Sequence, residues 1–196
     1  MPEPPDSTSA PIVAGSTNTT IDSVKAGATA RLGKPWNVSE NLLPFLGTWE
    51  NGVINGKNFA HQMVTNGFIL EAYKDSRGLP TVGCGHLVVA ADKLKLGKKI
   101  TEERAKELLK KDLAEAESAV NRNVKVPLCQ YEYDALVSLT FNTGAHGASK
   151  LFAAINAGKY ESIPATIEKY RTGGGNEGRR AAEATLFKSG VYDAKH

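Results

Sequence analysis

The sequence predicts an α+β fold: a β-hairpin, then one long helix, then a run of further helices. Three observations predict it. Between Phe68 and Gly83, two short alternating runs flank the turn sequence Asp75-Ser76-Arg77-Gly78. From Thr101 to Arg122, Leu109, Leu113, Ala116 and Val120 recur at helical spacing behind a Thr-Glu-Glu start. From residue 130 to 192, further helical patterns are separated by short breaks carrying Gly or Pro.

The hairpin follows from local chemistry. Asp75 can bond backbone ahead of it, and Gly78 permits positive φ. Pro80 restricts the returning strand to an edge or an entry position. Thr101 is a good helix N-cap, with Glu102 and Glu103 favoured by the helix dipole in the first turn. Tyr133, Leu136, Val137, Thr140 and Phe141 give one helix that closes at Asn142-Thr143-Gly144. Leu151 to Asn156 give a short helix ended by Gly158, and Ile163 to Tyr170 follow with Ser162 as cap and Pro164 in the first turn. Ala181, Ala184, Leu186 and Phe187 mark the last helix, after the break at Gly173-Gly174-Gly175.

Before the hairpin the pattern is weaker. Residues 1–20 are rich in Pro, Ser, Thr and Gly and read as a flexible tail or linker. Ile21, Val24, Ala28 and Leu32 sit at roughly helical spacing, stopped by Gly33 and Pro35. Leu42, Leu43, Phe45 and Leu46 are too few for a core of their own, so residues 21–57 read as an extension docking on a main domain of residues 58–196. Asn55 to Asn66 read as a short helix with Phe59, Met63 and Val64 on its buried face, ended by Gly67 in a left-handed cap. Leu94, Leu96 and Ile100 could supply a third strand.

A length of 196 residues, 41% hydrophobic and 23% charged, suits a globular chain able to bury a core. The net charge of +3 is carried by residues 60–196 and favours anionic partners through association rate. Nucleic acid is disfavoured, because no Lys/Arg run is interleaved with aromatics. Cys84 and Cys129 give no disulfide framework, and four scattered His give no zinc spacing, so no metal or cofactor is expected. No signal peptide and no membrane-spanning apolar run are visible.

Asn66-Gly67, Tyr73-Lys74-Asp75, Gly78, Thr81-Val82-Gly83 and Gly85-His86-Leu87 resemble the active-site hairpin of phage-type lysozymes (endolysins), glycoside hydrolase family 24. Tyr133 to Gly144 and Gly178 to Phe187 resemble that family's helical lobe. The resemblance covers residues 58 to 192. It implies a lysozyme-like α+β fold, with a small β-hairpin lobe and a larger helical lobe joined by a long helix, and a muramidase that cuts the β-1,4 bond between N-acetylmuramic acid and N-acetylglucosamine in bacterial peptidoglycan.

Inverting cleavage needs one group to protonate the leaving oxygen and another to activate water. The resemblance makes Asp75 the base, with Thr81 holding the water. It places the general acid, a Glu in the family, at Asn66. Asn66 is no Brønsted acid, so this form would be inactive or impaired. Three explanations arise: a deliberately inactivated lysozyme, a natural variant that binds glycan without cutting, or a substitute acid, with Glu71 nearest. Restoring the acid by Asn66→Glu would then switch on lysis.

The resemblance places the counter-charge of His86 at Asp112, so the two are expected to form an ion pair between hairpin and long helix. Asn142 and Gly144 would line the cleft, with Asn142 bonding an N-acetyl group. Arg179 and Arg180 read either as a solvated face or as contacts to wall carboxylates. Peptidoglycan is the expected partner, met by a monomer, with an immunity or delivery protein as a further partner. The chain would be made in the cytoplasm and act on the wall after release by another system. The rival readings are a non-catalytic peptidoglycan-binding module and the C-terminal domain of a secreted antibacterial toxin.

Overall fold

The computed structural model describes residues 24–25, 31, 33–170 and 176–194. The expected tail (1–20), most of the helical spacing through Leu32, and Gly173-Gly174-Gly175 lie outside the described residues. Val24 lies in a two-residue strand, β1 (Val24–Lys25).

Helix α1 (Leu42–Asn51) comes first in the body of the fold. Leu42, Leu43, Phe45 and Leu46 are fully buried, in one cluster with Leu109, Leu113, Tyr133, Leu136 and Phe187. The segment expected to dock on the domain is thus part of its core. Upstream, the Ser39 N–H donates to Asp134 Oδ1 at 3.1 Å, and the Lys34 ammonium reaches the Asn121 carbonyl at 2.8 Å.

Five antiparallel strands follow in spatial order: β2 (Gly56–Lys57), β3 (Met63–Thr65), β4 (Phe68–Lys74), β5 (Pro80–Gly83) and β6 (His86–Leu87). The helix expected over 55–66 is instead the β2–β3 hairpin, and the domain boundary expected after residue 57 falls inside it. The Asn58 carboxamide explains the difference. It accepts the N–H groups of Ala60 (3.0 Å) and Gln62 (2.9 Å), which holds a turn in competition with a helix. Of the three residues assigned to a buried face, only Val64 is buried; Phe59 is 97% exposed.

Strands β4 and β5 pair as Ile69↔Gly83 and Tyr73↔Thr81, with a register shift between. Leu94 to Ile100 do not form the expected third strand. They run beside β4 through a single bridge, Glu71↔Lys99, and bonds such as Ile100 N–H to the Leu70 carbonyl at 2.8 Å.

The long helix α2 (Glu102–Asn123) begins where the caps predict, with Thr101 Oγ1 accepting the Arg104 N–H at 3.2 Å. It carries Leu109, Leu113, Ala116 and Val120 into the core. The helical lobe adds α3 (Gln130–Gly147), α4 (Ser149–Asn156), α5 (Ile163–Glu168) and α6 (Glu177–Ser189). Strand β7 (Val191–Tyr192) pairs with β1. Asp134, on α3, ties the ends together: it accepts from Gln130, from Ser39 and from the Tyr192 hydroxyl.

Candidate active site

The site is built where α1 ends against the sheet. Gly52 stops the helix at φ 80°, its N–H bonded to the Thr48 carbonyl at 2.8 Å. Gly47 lets the helix approach the β3–β4 turn: a Cβ there would stand 2.5 Å from the Gly67 carbonyl oxygen. Asn51 locks the junction by donating to the carbonyls of Gly67 (2.7 Å) and Gly83 (3.2 Å).

This geometry presents a carboxylate that the sequence reading missed. Glu50, in the last turn of α1, has a side chain 32% exposed, and its Oε1 lies 2.6 Å from Arg179 Nη1. Arg179 is buried on α6 and bonds Glu183 Oε1 through Nε at 3.1 Å. Glu183 has no exposed surface; it also accepts from Ser138 Oγ at 2.6 Å and from Arg180 Nη1. Arg180 reaches the Tyr170 carbonyl at 3.0 Å and the Asn142 carbonyl oxygen. Arg179 and Arg180 are therefore not a solvated face. Their charges are met inside by Glu50 and Glu183, which is what lets them be buried.

On the hairpin, Asp75 Oδ1 accepts the N–H groups of Arg77 and Leu79, both at 2.9 Å, and Oδ2 faces the Arg77 guanidinium at 2.9 Å. The Leu79 N–H, aided by Arg77 and against some desolvation, holds the Asp75 carboxyl below the usual carboxylate range. Thr81 sits opposite Tyr73, so Thr81 and Asp75 are diagonal neighbours on one face of the hairpin. The Thr81 hydroxyl is 4% exposed by residue and donates to the Leu79 carbonyl at 3.1 Å.

His86 stands between two carboxylates: Nδ1 is 2.9 Å from Asp112 on α2, and Nε2 is 3.0 Å from Asp92 Oδ2. It joins hairpin to long helix and is 5% exposed. Burial would raise the Asp92 carboxyl, but the Val89 N–H, His86 and Lys111 outweigh it and hold it low. The buried Cys84 thiol is pushed well up by desolvation, with Glu50 adding to that and Arg179 opposing it.

Asn66 precedes Gly67 in the same turn, but its side chain is engaged by α2. It is exposed, at φ 49° in the β3–β4 turn rather than at a helix end, and its Nδ2 donates to Glu102 Oε2 at 2.8 Å. Glu71, on β4, is 3.9 Å from Lys99. Gly144 breaks α3 with φ 73°, and a cavity of about 200 Å³ beside it is lined by Asp112, Thr140 and Phe141. Among the described residues no group of three or more His, Cys, Asp or Glu could hold a metal ion, and no helix is long and apolar enough to cross a membrane.

Residues 64–183 match the family model described as phage lysozyme. The chain belongs to the phage lysozyme family. Peptidoglycan hydrolysis is the activity of this family. The endolysin of Salmonella phage P22 is 39% identical over 127 residues, covering 61% of this chain and 87% of that protein. The endolysin of Acyrthosiphon pisum secondary endosymbiont phage 1 is 36% identical, covering 63% and 89%. A crystal structure of a P22 lysozyme variant superposes with a TM-score of 0.63 at 32% identity, covering 78% of this chain and 99% of that one. Mixed helices and a small antiparallel sheet are thus the phage lysozyme architecture here too. The family match opens at residue 64, downstream of Glu50.

Proposed function

We propose that this phage lysozyme family member is a muramidase, cleaving the β-1,4 bond between N-acetylmuramic acid and N-acetylglucosamine with inversion, and that Glu50, not Asn66, is its proton donor. One observation carries the reading: a half-exposed carboxylate at the end of α1, fixed by a buried arginine beside the hairpin that holds Asp75 ionised. The Asn66 carboxamide is bonded instead to Glu102 on the long helix.

Each residue then has a role. Glu50 gives its proton to the leaving oxygen. Asp75 takes one from the attacking water. The Thr81 proton is engaged with the Leu79 carbonyl, which leaves the Thr81 oxygen as an acceptor. A water donating one proton to Thr81 and the other to Asp75 turns its lone pair toward the sugar. Arg179 serves by orienting Glu50 rather than by touching the wall. Asn142, oriented by Arg180, and Gly144 border the glycan path from the helical lobe. The protein acts on the wall as a monomer after delivery by another system.

Reducing-end release from purified peptidoglycan tests this. Glu50→Gln is expected to lose about 10²–10⁴ of the rate in a variant that still folds, with a lowered melting temperature because Arg179 keeps only Glu183 as a charged partner. Asn66→Ala and Asn66→Glu are expected to stay close to the parent. An inactive parent that Asn66→Glu switches on would overturn the assignment. A chain that binds wall yet releases no reducing ends in any form would be a binding module.

A further inference from the structure

The buried ion cluster behind Glu50 contains one carboxylate that the proposed chemistry does not use. Glu183 lies on α6 without exposed surface, shared between Arg179 Nε, Arg180 Nη1 and Ser138 Oγ. Arg179 holds Glu50 through its other arm at 2.6 Å. An arginine so close favours the ionised form of a carboxyl group. A proton donor needs the opposite, so Arg179 alone would work against the role that Glu50 is given.

We infer that Glu183 is a positioning residue: it balances the charge of Arg179, so that Arg179 can fix the geometry of Glu50 without holding it to the ionised form. This rests on the reading of Glu50 as the acid. The charge balance explains it. With Glu50 protonated, two guanidinium groups face one carboxylate, and the cluster carries a single net positive charge. Without Glu183 it would carry two, and Glu50 would ionise to offset them. Glu183 acts on Glu50 through the guanidinium they share, and it is itself shielded from solvent. The other groups around Glu50 do not supply this negative charge. On the hairpin the buried Cys84 thiol is held neutral and Asp75 is paired with Arg77, while Asp112 on α2 is engaged by His86.

Ser138 and Arg180 fit the same assignment. Ser138 donates to the oxygen of Glu183 that faces Arg179, and Arg180 takes the other oxygen. Glu183 is thereby fixed at both oxygens and cannot swing away from Arg179.

The test is the pH profile of kcat/KM for reducing-end release from peptidoglycan, measured beside melting temperature. In Glu183→Gln, which keeps the shape and a Ser138 contact, the alkaline limb is expected about one pH unit lower than in the parent. Below that limb the rate should return to near the parent's. Glu183→Asp keeps the charge and should keep the limb. Should Glu183→Gln not fold, Arg180→Gln removes a cation while leaving Glu183 ionised, and moves the limb upward. A folded Glu183→Gln or Arg180→Gln with the parent's limb overturns the inference, as does a uniform loss of rate at every pH. Failure of the underlying reading looks different: Glu50→Gln would then retain both activity and the alkaline limb.

Discussion

Asp75 is fixed by groups that belong to its own turn. Two backbone N–H bonds and the Arg77 guanidinium keep its carboxyl below the ordinary value of about 3.9. As the general base it must be ionised, so the acid limb of kcat/KM is expected below about pH 4. Arg77→Ala removes one of the stabilising partners, and that limb should move up in pH. Asp75→Asn keeps an acceptor for both N–H groups but loses the charge. It is expected to cost about 10²–10⁴ in rate, with little change in melting temperature. A limb unmoved in Arg77→Ala, read from initial rates across pH 3–6, would count against Asp75 as the base.

At the scale of elements, the site depends on how closely α1 meets the β3–β4 turn. Gly47 and Gly67 face each other there, and Gly67 also takes φ 85°. Gly47→Ala would push a methyl into the Gly67 carbonyl. A loss of about 1–3 kcal/mol is expected in urea unfolding, together with reduced activity as the last turn of α1 shifts. The same junction explains what the sequence disclosed. The β4–β5 hairpin was legible because Asp75, Gly78 and Pro80 act on their immediate neighbours. The α2 start was legible because Thr101 caps its own helix. Glu50 was not, because the β2–β3 hairpin separates it from β4, and only folding returns α1 to Gly67 and Gly83. Asn66-Gly67 then occupied the place beside the strand where an acid and a Gly were expected. Asn58 misled the reading of residues 55–66 in a similar way: a residue that can cap a helix closes a hairpin turn instead. A clue did exist, since the apolar run Leu42–Leu46 ends in Trp49-Glu50-Asn51-Gly52, a helix with its stop. Arg179, Arg180 and Glu183 likewise carry helical ion-pair spacing, but spacing alone does not tell inside from outside.

Across the whole molecule, buried carboxylates join distant segments and set how stability responds to acid. Asp92 has its carboxyl held low, so its contribution is present above the unfolded value of about 3.9 and is lost as pH falls through the lower folded value. Asp134 has the opposite sign: burial raises it against its hydrogen bonds, so its charged form weighs against folding as pH rises from the unfolded value toward the folded one. Asp92→Asn is expected to flatten the fall in melting temperature between about pH 5 and pH 2. An equally steep fall in the variant would remove Asp92 from the account of acid sensitivity.

The pairing of β1 with β7 has a mechanical meaning. Val24 lies opposite Tyr192 and Lys25 opposite Val191, so the chain enters and leaves at the same end of this small clasp. A pull between those two points opens the contacts one after another, as a zip, instead of shearing them together. Dragged through a narrow passage by either end, the domain would part first at this clasp, while the helix that bears Glu50 was still seated.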